Sequence, residues 1–104
     1  MYEMLCGIAP FNDDSVDKIF ANILNYRIEW PPIGDGEDCL SPLAYDLLIK
    51  LLEPDHLKRI GQNSIQEIKY HKFFHGIEWH TLLFKPGLII PEISDTKNDT
   101  EKIE

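Results

Sequence analysis

Apolar residues recur at helical spacing in two parts of the chain. One stripe lies between Asp13 and Asn25, and a broader apolar face lies between Pro42 and Leu52. The stripe consists of Val16, Ile19, Phe20, Ile23 and Leu24, and the broader face consists of Leu43, Ala44, Leu47, Leu48, Leu51 and Leu52. A helix that packs on one side repeats its apolar residues every three or four positions. The pattern therefore predicts two amphipathic helices whose apolar sides face a core.

Residues at the ends of these segments support both helices. Ser41 is a predicted N-cap, because its hydroxyl can accept an unpaired backbone N–H, and Pro42 suits the first helical position. Pro54 disfavours helical backbone at the residue before it, so this helix is predicted to end near Leu52. The other helix has its cap candidates in residues 12–14 and is predicted to end at residues 25–27.

Two shorter helices complete the predicted fold. Residues 1–6 have a helical composition, and Gly7 is a natural C-terminal stop. Ser64 and Glu67 have the spacing of a capping box, which predicts a helix over residues 64–70. The predicted fold is all-α, with helices near 1–6, 13–25, 42–52 and 64–70 joined by long loops. From Lys85 the chain is punctuated by Pro and predicted to be extended, and after about residue 94 it is predicted to be disordered.

The chain is acidic, with 18 Asp and Glu against 10 Lys and Arg in 104 residues and a net charge of −8. This balance argues against nucleic acid or an anionic membrane as a partner, because no basic stripe is available to neutralise phosphates. No apolar run approaches the roughly 18 residues of a membrane span. Cys6 and Cys39 lack the spacing of a disulfide framework, and we interpret them as reduced thiols of a cytoplasmic protein.

One set of polar residues has a spacing that metal sites use. The set is His71, His75, Glu78 and His80. The first two are four positions apart, which can present both imidazoles on one face of a helix. However, Phe73 and Phe74 lie between them and are typical of a core. The acidic loop at residues 34–38 lacks the alternating ligands and the closing Glu of a calcium loop. We therefore predict no metal site.

Five segments, in order along the chain, resemble the C-terminal part of a eukaryotic protein kinase domain. Residues 2–11 are similar to Tyr-Glu-Met-Leu-x-Gly-x-Pro-Pro-Phe at the end of helix F, and residues 13–25 look like helix G. Residues 28–31 resemble the Ile-x-Trp-Pro segment that leads to helix H. Residues 41–61 resemble helix H and the turn that ends in Arg-Leu-Gly. Residues 68–79 resemble Ile-x-x-His-Pro-Phe-Phe-x-Gly-Ile-Asp-Trp, which closes the domain in the AGC group.

This resemblance covers about residues 1–93 and implies an AGC-group Ser/Thr kinase, most similar to the microtubule-associated and Greatwall-like kinases. It implies that residues 1–74 are the lower half of a kinase C-lobe, with the end of helix F and helices G, H and I. Residues 75–104 would begin the C-terminal tail of the AGC group. The chain departs from the family pattern at Ala9, His56, Ile60 and Lys72.

The resemblance implies structural roles for five residues and no catalytic, cofactor-binding or metal-binding role for any. Arg59 matches a buried Arg that pairs with the Glu of the Ala-Pro-Glu motif, and Asp55 matches the Asp before it. Trp30, Phe73 and Phe74 match aromatic positions of the family segments. Since the chain has no Ala-Pro-Glu motif, Arg59 is predicted to face solvent or to pair with Asp55.

The motifs for phosphoryl transfer do not occur in these 104 residues. That chemistry needs a Gly-rich loop, a Lys on a strand, a catalytic Asp and Asn, and an Asp-Phe-Gly aspartate. The leading interpretation is a fragment of a Ser/Thr kinase that is inactive alone, with ATP and Mg²⁺ held by the remainder of an intact domain. Since only the end of helix F is present, part of the apolar surface is predicted to lack cover, at Ile19, Ile23, Leu47 and Leu51. The alternative is a non-catalytic interaction module that docks a protein partner through helix G.

Overall fold

The computed structural model describes residues 1–93 of the chain. It contains four α-helices and two short 3-10 helices. These are α1 (Tyr2–Cys6), α2 (Val16–Asn25), α3 (Pro42–Leu51), α4 (Gln66–Lys69), a first 3-10 helix (Lys72–Phe74) and a second one (Leu82–Phe84). Within residues 1–93 the only β pairing is an isolated parallel bridge between Ile33 and Leu40. The all-α prediction is therefore confirmed.

Helix α3 lies at the centre of the core, and its ends form as the sequence predicts. The Ser41 hydroxyl accepts the backbone N–H of Ala44 at 3.2 Å, and Pro42 occupies the first turn. Ala44, Leu47 and Leu48 are buried, and Leu47 has no exposed surface at all. Leu47 was predicted to lack cover, and that prediction is wrong, because it is fully buried. The core around α3 includes Tyr2 and Leu40 from before the helix and Phe73 from after it.

Aromatic side chains join the N-terminal helix to α3. The Trp30 ring meets Tyr2 and Tyr45 edge-on, with centroid distances of 5.3 Å and 4.8 Å. The Tyr2 hydroxyl also donates to the backbone carbonyl of Glu29. Edge-on pairs of this kind contribute about 0.5–1.5 kcal/mol beyond the burial of the rings. Trp30 is therefore the side chain through which α1 and α3 share one core, together with the buried Leu40.

Helix α2 differs from its prediction in both its start and its burial. Its N-cap is Ser15, whose hydroxyl accepts the N–H of Lys18 at 3.3 Å, and not a residue of the 12–14 segment. The helix has no buried residue. Phe20 is 59% exposed and Leu24 is 85% exposed, so the prediction that this stripe lies in the core is wrong. The predicted lack of cover at Ile23 is confirmed, since about half of its surface is exposed.

Helix α4 is a single turn that follows the break at Gly61. The Glu67 carboxylate accepts the backbone N–H of Ser64 at 3.1 Å, and the Ser64 hydroxyl accepts that of Gln66 at 3.1 Å. The Glu67 half of the predicted capping box therefore forms, but the helix is shorter than residues 64–70 and has Ile65, not Ser64, at its N-cap. Gly61 has φ of +93°, and a Cβ there would lie 2.8 Å from the Ile68 side chain.

Beyond the second 3-10 helix, Leu88 to Ile93 lie exposed and carry no regular structure. The predicted disorder of residues 94–104 lies outside the described residues. No helix within residues 1–93 combines the length and the apolar character that a membrane span requires. Both cysteines are free thiols.

Candidate functional site

The turn after α3 presents Arg59 on the surface. The backbone carbonyl of Asp55 accepts the N–H groups of Lys58 and Arg59, and its carboxylate accepts the N–H of Leu57 at 3.0 Å. This side-chain bond is the usual way in which Asp stabilises a turn. Asp55 therefore organises the turn, and its position in the family motif has a local physical reason.

The guanidinium of Arg59 is exposed and bonded to backbone. Its Nε donates to the carbonyl oxygen of Glu53 at 3.0 Å. Among residues 1–93 no carboxylate lies within ion-pair distance of Arg59. The structure thus places Arg59 toward solvent, as one of the two predicted outcomes, and its partner is the Glu53 carbonyl instead of the Asp55 carboxylate.

An open groove of about 270 Å³ adjoins this guanidinium. Its lining residues are His56, Arg59, Ile60, Gly61, Gln62 and Ile68. The groove combines the exposed guanidinium of Arg59 with apolar walls formed by Ile60 of the turn and Ile68 of α4. An acidic side chain carried by another segment could reach Arg59 here without displacing any ion pair among the described residues.

Phe73 and Phe74 begin a series of aromatic contacts after α4. Phe73 packs against the core, and its ring lies 5.1 Å from that of Phe74. Phe74 in turn meets Trp79 at 5.1 Å, and the Trp79 indole N–H donates to the carbonyl of Lys69 at 3.2 Å. These contacts fix the segment after α4 onto the helical core.

A polar cluster between α3 and His71 was not predicted from the sequence, and only its His71 side chain is buried, at 7% exposure. The Nε2 of His71 lies 2.6 Å from the Asp46 carboxylate, and the Lys50 ammonium lies 2.8 Å from the same oxygen. The hydrogen bond from Lys50, and next that from His71, lower the pKa of Asp46. Asp46 and Lys50 are four positions apart on one helix, a spacing that favours pairing. Nothing local in the sequence indicates that His71 joins them.

The predicted metal-like spacing of His71, His75, Glu78 and His80 can be compared with the structure. Within residues 1–93 no group of three or more His, Cys, Asp or Glu side chains is arranged to hold a metal ion. His71, the first residue of the metal-like spacing, has both ring nitrogens bonded to protein groups.

Comparison with known proteins identifies the class. No protein-family model matches the chain. The probable serine/threonine-protein kinase pkgA of Dictyostelium discoideum is 44% identical over 98 residues, which are 94% of this chain and 7% of that protein. The serine/threonine-protein kinase greatwall of Gallus gallus is 39% identical over 104 residues, 100% of this chain and 11% of the relative. RIM15, a serine/threonine-protein kinase of Saccharomyces cerevisiae, is 37% identical over 103 residues, 96% of this chain and 6% of the relative.

By sequence the chain belongs to the serine/threonine protein kinases. Within that family it corresponds to the C-terminal part of an AGC-type kinase, which confirms the resemblance read from the motifs. The helical fold of residues 1–93 agrees with a portion of a kinase C-lobe. The chain spans about a tenth or less of the length of these relatives.

Proposed function

We propose that this chain is the lower part of the C-lobe of a protein serine/threonine kinase and supports phosphorylation of proteins only together with a nucleotide-binding segment. In this role the 104 residues bind neither ATP nor Mg²⁺ themselves. They form the helical base on which the ATP site and the catalytic loop are held. That remainder can stand on the same polypeptide or on another one.

The observation that carries this proposal is the similarity to Ser/Thr kinases over nearly the whole chain, from 94% to 100% of its length. The motifs of residues 2–11, 28–31, 41–61 and 68–79 support the assignment of this similarity to the C-terminal part of the kinase domain. The chemistry of the family needs positioning and electrostatic stabilisation from groups that these residues lack. The chain is therefore proposed to support the catalytic groups of another segment and not to supply them.

Two surfaces support the idea of a partner segment. The apolar stripe of α2 is uncovered, with Leu24 largely exposed. Arg59 offers a cationic head beside the groove at the turn after α3. In the family, a glutamate of the Ala-Pro-Glu motif pairs with this Arg. We place that carboxylate in a segment outside these 104 residues, with Arg59 as its partner.

A calorimetric titration of Mg-ATP into the purified chain tests whether these 104 residues bind the nucleotide by themselves. The expected result is no saturable heat, with the kinase domain of the Gallus gallus relative as the positive control. Saturable binding to the chain alone would contradict the proposal.

We place the protein in the cytoplasm as part of the same proposal, because its two cysteines are free thiols and such cysteines are typical of that compartment.

The second candidate is a non-catalytic interaction module that binds a protein through α2. The specific observation in its favour is the exposed apolar face of this helix, which includes Phe20 and Leu24. Contiguous exposed apolar surface is typical of protein contact sites. The two functions differ in one respect. A kinase segment restores activity when it replaces the matching segment of a relative, whereas a diverged interaction module folds there without restoring it.

A further inference from the structure

His71 contacts two elements that are well separated in sequence. Its side chain is only 7% exposed. Nε2 lies 2.6 Å from the Asp46 carboxylate on α3, 25 positions earlier in the chain. Nδ1 accepts the backbone N–H of Phe73 at 3.0 Å, at the start of the first 3-10 helix. A single imidazole therefore spans the gap between α3 and the segment that follows α4.

These two bonds determine where the ring carries its proton. Nδ1 accepts an N–H, so it must hold a lone pair and no proton. The proton of the neutral ring therefore stands on Nε2 and is donated to Asp46. A proton on Nδ1 would face the N–H of Phe73, and two donors would then oppose each other.

We infer that His71 is a positioning latch, which in its neutral, Nε2-protonated form holds the first 3-10 helix against the side of α3. The two ring nitrogens of His71 make different contacts. The Nδ1 end caps the 3-10 helix, and the Nε2 end ties that helix to α3.

The groups around the ring agree with this arrangement. Lys50 bonds the same Asp46 oxygen that His71 contacts, which favours an ionised carboxylate as acceptor. Lys72 and Tyr70 line the adjoining groove of about 480 Å³, and among the described residues neither side chain is hydrogen-bonded to the ring. Phe73 adds apolar contact with the core beside the latch. Residues 85–93, which follow the second 3-10 helix, are exposed.

Two substitutions separate the ends of the latch in the full 104-residue chain. His71→Asn keeps an acceptor at the position of Nδ1 and removes the reach to Asp46. His71→Gln places an amide N–H near the position of Nε2 and removes the acceptor for Phe73. Lys50→Gln is the matched control, because it removes the other partner of Asp46 and leaves both His71 bonds in place.

The measurement combines NMR of the imidazole nitrogens with hydrogen exchange of backbone amides. The wild type should show the Nε2-protonated tautomer. His71→Gln should accelerate exchange of the Phe73 amide by about tenfold, as expected for the loss of one hydrogen bond. His71→Asn should leave that amide within about threefold of wild type, while tryptic cleavage after Lys72 becomes faster. Lys50→Gln should change neither readout.

An Nδ1-protonated ring in the wild type would overturn the inference, whatever the variants do. Equal exchange of the Phe73 amide in His71→Asn and His71→Gln would overturn it as well, because it would mean that the two nitrogens have no separate tasks. If His71→Gln fails to fold, the tautomer of the wild type and the His71→Asn result still decide the matter.

Discussion

Replacing Arg59 by Ala should change the stability of this chain only slightly. The side chain is exposed, and its polar contact within the described residues is the bond from Nε to the Glu53 carbonyl at 3.0 Å. An intramolecular hydrogen bond contributes about 0.5–1.5 kcal/mol, and an exposed one lies toward the lower end. The buried Arg–Glu pair that the family motif implies is different, since removal of one partner there costs about 3–5 kcal/mol. We therefore expect a loss below about 1 kcal/mol for Arg59→Ala.

Urea unfolding, followed by tryptophan fluorescence, measures this difference. With an m-value of about 1–2 kcal/mol per molar urea for a chain of this size, the midpoint should shift by less than about 1 M. Lys58→Ala is the matched control, because it removes a neighbouring exposed cation that has no side-chain bond among residues 1–93. A loss above about 2 kcal/mol for Arg59→Ala alone would refute the reasoning. It would mean that the guanidinium is buried against a carboxylate in solution.

Three further outcomes follow from the structure. The chain should bind a hydrophobic dye and self-associate, because exposed apolar patches favour association. Leu24→Asp should reduce both effects, and unchanged dye binding in this variant would contradict the expectation. Gly61→Ala should lower the free energy of unfolding by about 1–3 kcal/mol in urea, and Gly7→Ala by about 1 kcal/mol. Both glycines have positive φ, but only at Gly61 would the added methyl contact another side chain. Equal losses would show that this contact does not contribute. The pKa of Asp46 is lowered on folding, so its contribution to stability is present above the ordinary value of 3.8 and is lost as the pH falls through the lowered pKa. Acid titration of unfolding should show this component in the wild type and not in Asp46→Asn.

The ends of the helices could be predicted where the responsible chemistry is local. Ser41 and Pro42 start α3 because a hydroxyl acceptor and a missing N–H both suit a first turn. Gly7 ends α1 in the left-handed region, as its lack of Cβ allows. The start of α2 was mispredicted since several residues in a row can cap a helix, and only the backbone geometry selects Ser15.

Burial could be predicted less well, because it depends on what packs against a face. The stripe of α2 correctly identifies its apolar side, but spacing alone does not show whether another element covers that side. Leu47 and Leu24 belong to similar patterns, and one is fully buried while the other is largely exposed. The contact between His71 and Asp46 was missed for a related reason. The two residues are far apart in sequence, and only the packing of the first 3-10 helix on α3 brings them together.

The central claim is that this chain can serve as the lower C-lobe of a Ser/Thr kinase. The most direct measurement is the phosphotransfer rate of a chimera in which these residues replace the matching segment of the Gallus gallus greatwall kinase, to which they are 39% identical over 104 residues. The same kinase with that segment deleted is the control. We predict that the chimera phosphorylates a protein substrate within about tenfold of the parent rate, a barrier change of about 1.4 kcal/mol. A chimera that folds and binds Mg-ATP but is as inactive as the deletion would contradict the claim.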